Sequence, residues 1–146
     1  MKVPVYPVYL KTDWYLSATY YHYTDKDSAN EIISSGRIMQ STDTRNDAVF
    51  GQGTYMTRIP PDTSKSAIAM NNYDGQRGYH FQKINAGKTD VAIELKLPIA
   101  KVQNCSGDGR DIHRYPGNVD FRSPDVKSVD VHVIGDNGRI QTYSQK

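Results

Sequence analysis

At 146 residues, with 37% hydrophobic and 23% charged side chains, the chain can bury one core and is too short for two ordinary domains, so 1–146 reads as a single folded domain. No stretch approaches the ~20 consecutive apolar residues that span a bilayer, and Pro4 and Pro7 interrupt the N-terminal run, which excludes insertion by a helix, argues against a cleaved leader and leaves a soluble protein as the expectation. The 18 basic and 16 acidic residues are interleaved and mark no dedicated nucleic-acid surface, while the lone Cys105 and the scattered His22, His80, His113 and His132 exclude a disulfide framework, a zinc finger and an HExxH site.

In chain order, residues 14–24 (WYLSATYYHYT) are dense in aromatic and β-branched side chains and predict a strand, with Tyr20, His22 and Thr24 on one face and Tyr21 and Tyr23 on the other. Ser28 and Glu31 form the pattern of a capping box, Ala29, Ile32 and Ile33 supply an apolar face, and Gly36 supplies the left-handed stop, which predicts a helix of about two turns. Residues 41–53 (STDTRNDAVFGQG) predict a polar loop that delivers the chain into a brief strand at Thr54–Thr57, stopped by Pro60 and Pro61. Asp62, Thr63 or Ser64 caps a second helix carrying Ala67, Ile68, Ala69 and Met70, which breaks near Asp74 and Gly75 and leaves Tyr73 and Tyr79 at or just beyond its end.

Val91, Ile93, Leu95 and Leu97 alternate with Ala92, Glu94 and Lys96, the clearest strand in the chain, with one core face and one wetter face. Glycines and prolines then interrupt short candidate strands at 99–104, 111–115 and 118–122. Val129, Val131 and Val133, followed by Asp136-Asn137-Gly138, predict a terminal hairpin returning through 139–143. Two short helices early among six or seven short strands make an α+β fold with mostly antiparallel sheet.

Single residues say less. His22 on a strand can donate one hydrogen bond and accept another, as ribose hydroxyls require, although a lone strand histidine is more often structural. Gly51 and Gly53 permit close backbone approach or a tight turn. The 11 tyrosines suit either a cleft that stacks a heterocycle or half-buried strand edges. Cys105 has no His or Asn at a recognisable nucleophile spacing and is set aside.

Taken together, Tyr21-His22-Tyr23-Thr24, Ile32-Ile33-x-Ser35-Gly36, Gly51-Gln52-Gly53-Thr54-Tyr55-Met56-Thr57 and Val91-Ala92-Ile93-Glu94-Leu95 come in an order that resembles the ADP-ribosyltransferase superfamily. The resemblance is closest to the toxin domains with a His-Tyr-Asp (HYD) signature, is strongest over 18–97, and is weaker over 98–146, with an echo in residues 115–121. It implies a split β-sandwich with NAD as co-substrate in the cleft and no metal. His22 would bond the adenosine ribose and Tyr55 would stack on the nicotinamide. Tyr73, or else Tyr79, would complete the aromatic wall, with Tyr23, Thr24, Gly53 and Thr57 lining the ligand.

Breaking the glycosidic bond of NAD builds positive charge on the ribose, so a carboxylate must face it. Asp120 takes that place in the family pattern, with Glu94, Asp111 and Asp125 as rivals. Arg45 and Arg37 are candidates for the pyrophosphate. The resemblance further implies transfer of ADP-ribose to an unknown protein or nucleic-acid acceptor, an effector or toxin role in the cytoplasm or after delivery by another system, and a cognate immunity or inhibitor protein as partner. Three alternatives stand beside it: NAD glycohydrolysis at the same site, an RNA 2′-phosphotransferase, against which the near-neutral charge argues, and a non-catalytic Tyr-rich β-domain that binds protein or nucleic acid.

Overall fold

The computed structural model describes residues 16–43, 50–73, 77–107 and 109–146; Pro4, Pro7, Trp14, Arg45 and the expected helix break at Asp74 and Gly75 lie outside them. The aromatic run forms β1 (Ser17–Thr24), which pairs antiparallel with β4 (Val91–Pro98) in a register that sets His22 opposite Ile93 and Tyr21 opposite Glu94. β4 pairs with β8 (Ser128–Ile134) and β8 with β9 (Ile140–Ser144), giving a four-stranded antiparallel sheet in the order β1-β4-β8-β9. The terminal hairpin turns at Gly135–Gly138, where Gly138 takes φ 81°, a conformation that other residues rarely adopt.

Two smaller sheets stand beside it. β3 (Thr54–Met56), β6 (His113–Tyr115) and β5 (Gln103–Asn104) form one in the order β3-β6-β5, and β2 (Arg37–Ile38) pairs with β7 (Val119–Asp120) in the other. Among the described residues every pairing is antiparallel, in keeping with the mostly antiparallel sheet expected. The four-stranded and three-stranded sheets touch through one bridge, Tyr21 with Thr57.

The helices depart from expectation in two respects. α1 (Lys26–Ser35) is capped by Asp25, whose carboxylate accepts from the Ser28 amide at 2.7 Å, so the start lies three residues before the expected cap at Ser28. Asp25 wins because it also receives the Lys88 ammonium at 2.6 Å, a partner 63 residues away that no local pattern announces. The expected Gly36 stop is present with φ 75°, its amide bonded to the Ile32 carbonyl. α2 (Lys65–Asn72) is capped by Ser64, and α3 (Arg77–Asn85) is a third helix, so Tyr79 belongs to a separate element. Its sequence hides it, because RGYHFQKIN carries no regular apolar stripe. Among the described residues no helix is long and apolar enough to cross a membrane.

The alternation along β4 has the consequence expected of it. Val91, Ile93, Leu95 and Leu97 join Ala18, Tyr20, Val129 and Val131 on one sheet face, covered by Ala29 of α1, Ile38, Met56, Val119, Phe121 and Val126. Among the described residues, the opposite face is buried where Ile68 of α2 covers Tyr23, Ala92 and Ile134. Each fully buried branched side chain here contributes on the order of 1.5–3 kcal/mol of transfer free energy, so the small sheets are held mainly by the core they roof.

Candidate functional site

The site lies where β1 and β3 part. Tyr21 exchanges both of its backbone hydrogen bonds with Thr57, at 2.7 and 2.9 Å. By the alternation of an antiparallel strand, Tyr23 turns its own N–H and C=O to the same edge, where among the described residues no backbone partner meets them. A side chain spans the opening gap: His22 Nδ1 lies 2.9 Å from the Tyr55 carbonyl oxygen. A carbonyl only accepts, so Nδ1 carries the proton and Nε2 keeps its lone pair. Loss of solvent around this ring pushes the imidazole pKa below its ordinary value, more than the bond to Tyr55 raises it, and the ring is neutral at pH 7. Nε2 has no hydrogen-bond partner among the described residues.

Tyr55 projects from the opposite face of β3 to the buried Thr54 and Met56. Its hydroxyl donates to the Gly51 carbonyl at 2.6 Å and accepts from the Phe50 amide at 3.0 Å, which anchors the ring over the incoming loop. Gly51 takes φ 111°, and a Cβ on Gly53 would lie 2.7 Å from the Tyr115 carbonyl oxygen. The Gly-x-Gly pair thus has a local cause, a left-handed turn followed by close passage over β6.

Thr57 lies on the Tyr55 face, as expected, and leads to an acid. Asp111, two residues before β6, accepts at Oδ2 from the Thr57 hydroxyl (2.8 Å) and the Arg58 amide, and at Oδ1 from His113 Nε2 (2.9 Å). Burial alone would raise its pKa, but the bonds from Arg58, His113 and Thr57 outweigh it and hold the carboxyl below the usual range. Three donors leave one of about four lone-pair sites open, on Oδ1, and the side chain is 36% exposed, so an incoming hydroxyl can reach it. His113 packs edge-on against Tyr20, and Arg58 sets its guanidinium 5.9 Å from the Tyr20 ring centre.

The other acids lie elsewhere. Asp120 is on β7 opposite Arg37, bonds the Arg122 amide at 2.9 Å, and has its side chain 44% exposed; neither β1 nor β3 pairs with its strand. Glu94 is on the sheet face away from His22 and is bonded to His132 at 2.9 Å. Asp125 accepts from the Tyr115 hydroxyl, whose pKa burial and this bond push up to about 12. Arg37 is exposed on β2, and burial raises the pKa of the Cys105 thiol, which leaves it protonated at neutral pH.

Tyr73, the C-cap of α2, and Tyr79 of α3 meet edge to face at 6.3 Å, with Lys83 Nζ 4.9 and 5.1 Å from their ring centres. Thr24 is buried on the His22 face at the end of β1.

The split edge, with an imidazole bridging to a tyrosine strand and an acid at that strand's far end, is the setting for one comparison. A family model described as HYD1 signature containing ADP-ribosyltransferase matches residues 20–123. The chain belongs to that family. Neither a curated protein nor a solved structure matches it.

Within this ADP-ribosyltransferase toxin-type domain, the matched span begins on β1 at Tyr20 and closes just beyond β7. Sequence reasoning passed over Asn71, a buried side chain that bonds Thr57 and Asp111. One signal was present: Asn71 follows Ile68 by three residues and so falls on the buried stripe of its helix, where an amide must find partners. Among the described residues no cluster of three or more His, Cys, Asp or Glu could hold a metal ion.

Proposed function

We propose that this domain cleaves the nicotinamide–ribose bond of NAD and passes ADP-ribose to an acceptor, with His22, Tyr55 and Asp111 as the working residues. Asp111 replaces Asp120 in this reading. The observation that carries it is that Asp111 is tied through Thr57 to the strand that holds Tyr55, whose carbonyl in turn holds His22. Asp120 sits on a ladder that joins neither of those strands.

Neutral His22, its proton committed to Tyr55, offers Nε2 as an acceptor for a ribose hydroxyl. The N–H and C=O of Tyr23 match the C=O and N–H of a carboxamide, the group that nicotinamide carries. Tyr55 supplies an anchored ring for stacking, and Tyr73 stands as the second aromatic candidate. When the C1′–N bond breaks, its electron pair leaves with nicotinamide, which departs neutral, and the positive charge spreads over C1′ and the ring oxygen of the ribose. Asp111, ionised and fixed by three donors, accepts from the 2′-hydroxyl and opposes that charge. Because the charge exists only near the transition state, the carboxylate stabilises it more than it stabilises bound NAD. The acceptor's lone pair then forms the new bond to C1′, and the proton that acceptor carried is released to solvent.

The test is nicotinamide release from NAD, read by chromatography, for the wild type, His22→Ala and Tyr55→Ala. Release is expected from the wild type, with KM raised in both variants. No release from a folded wild type, or equal release from all three, rejects the proposal. Release without any added acceptor measures transfer to water.

A further inference from the structure

Asn71 sits in the last turn of α2 and is only 9% exposed. Its Oδ1 accepts the Asp111 amide at 2.7 Å, and its Nδ2 donates to the Asp111 carbonyl at 2.9 Å, to Thr57 Oγ1 at 3.2 Å and to Asn72 Oδ1 at 3.0 Å. Its own carbonyl accepts from Arg110 Nε at 2.8 Å. One carboxamide therefore pairs with both backbone groups of a single residue.

That pairing has two consequences. Holding the N–H and the C=O of Asp111 fixes the two peptide planes that flank its Cα, and with them the direction of its Cα–Cβ bond. Asp111 needs such a restraint, because it lies just outside β6 at the end of a segment containing Gly107 and Gly109, where no ladder holds it. The second consequence concerns Thr57, whose hydroxyl has one proton. Since Thr57 Oγ1 accepts from Asn71, that proton is directed to Asp111 Oδ2. α2 is itself seated by Ile68 and Ala69, both fully buried, so the packing of this helix reaches the carboxylate through one side chain.

We infer that Asn71 is the positioning residue of this site: it aims the Asp111 carboxylate and the Thr57 hydroxyl without touching substrate. The inference rests on the role proposed above for Asp111. It predicts loss of turnover with little loss of binding, since a carboxylate displaced by about 1 Å forfeits on the order of a hundredfold in rate while the stacking and ribose contacts stand.

The experiment compares wild type, Asn71→Ala and Asn71→Asp. The second variant keeps the size and the acceptor for the Asp111 amide, but turns an oxygen toward the Asp111 carbonyl and Thr57. Three quantities are read: kcat and KM for NAD, the thermal unfolding midpoint, and the titration of the Asp111 carboxyl by carbon NMR, with His113, Arg58, Arg110 and Tyr20 as its charged or titratable neighbours. The expected result is kcat lowered about a hundredfold, KM near wild type, and an Asp111 midpoint moved upward as its donors are displaced. An unmoved Asp111 titration in Asn71→Ala, or kcat kept at the wild-type value in the folded variant, overturns the inference; the added charge of Asn71→Asp raises the Asp111 midpoint by itself, so that variant is read through kcat alone. If the wild type releases no nicotinamide, the functional reading fails separately, and the Asp111 titration in Asn71→Ala still decides: a moved midpoint supports the clamp and an unmoved one removes it.

Discussion

Replacing Asp111 by Asn separates the chemistry of the site from its stability. In the native site Oδ2 accepts from Thr57 and Arg58, and Oδ1 accepts from His113. An asparagine oxygen turned toward Thr57 and Arg58 keeps two of these bonds, and its amide nitrogen then faces His113, whose ring can move its proton to Nδ1 and accept instead. All three contacts survive, but as neutral hydrogen bonds. Bonds to a charged group contribute about 1.5–3 kcal/mol and neutral ones about 0.5–1.5, so each conversion costs roughly 1 kcal/mol. With 36% of the side chain open to solvent, screening reduces the total to about 1–2 kcal/mol. For a domain of this size that lowers Tm by roughly 5 °C.

Turnover should suffer far more. Removing one preorganised group that faces developing charge typically costs about 10²–10³ in rate, or roughly 3–4 kcal/mol. The assay pairs thermal unfolding with nicotinamide release, and sets Asp111→Asn beside Asp120→Asn, whose exposed carboxylate meets Arg37 and Arg122 among the described residues and should leave both readings near wild type. Release preserved in Asp111→Asn, or lost only in Asp120→Asn, refutes the reasoning and returns the acid to β7.

Three further outcomes are expected. Tyr55→Phe keeps the ring but loses the hydroxyl bonds to Gly51 and Phe50, each worth about 0.5–1.5 kcal/mol, so saturation kinetics should show a higher KM with kcat largely retained, whereas Tyr55→Ala loses the ring as well. Gly53→Ala would press a methyl group against the Tyr115 carbonyl and Arg114 Cγ at 2.7 and 2.8 Å, and should destabilise the domain by about 1–3 kcal/mol in denaturant titration. Asp25→Ala removes the α1 cap at a cost of about 1 kcal/mol. The Lys88 and Ser28 bonds hold the Asp25 pKa at about 2, below its ordinary 3.8, so its stabilisation is complete above 3.8 and is lost as pH falls to about 2; the variant should lack this part of the acid unfolding profile.

The strands that carry the site were legible because their patterns are local. The alternation of Val91 to Leu97 needs only a core on one side, and the Tyr-His-Tyr-Thr run needs only to be extended for His22 and Tyr23 to face opposite ways. Gly36 ended its helix, and Asp136-Asn137-Gly138 made its hairpin, through backbone conformations that few other residues adopt. Tyr55 and Thr57 shared a face because strands have a period of two.

What one stretch of chain could not reveal is what each end of it would meet. Asp25 displaced Ser28 as a cap because Lys88 arrives from across the fold, and α3 forms from residues with no apolar stripe of their own. The placement of the acids depended most on this. Asp111 precedes one short strand and Asp120 ends another, in a segment broken by Gly107, Gly109, Pro116 and Gly117, and no local pattern there says which strand each will pair with. The distinction arises when β6 pairs with β3 and β7 with β2, since pairing partners are chosen by the whole core rather than by either strand. That pairing brings Asp111 to Thr57 and Asn71, and carries Asp120 out to Arg37.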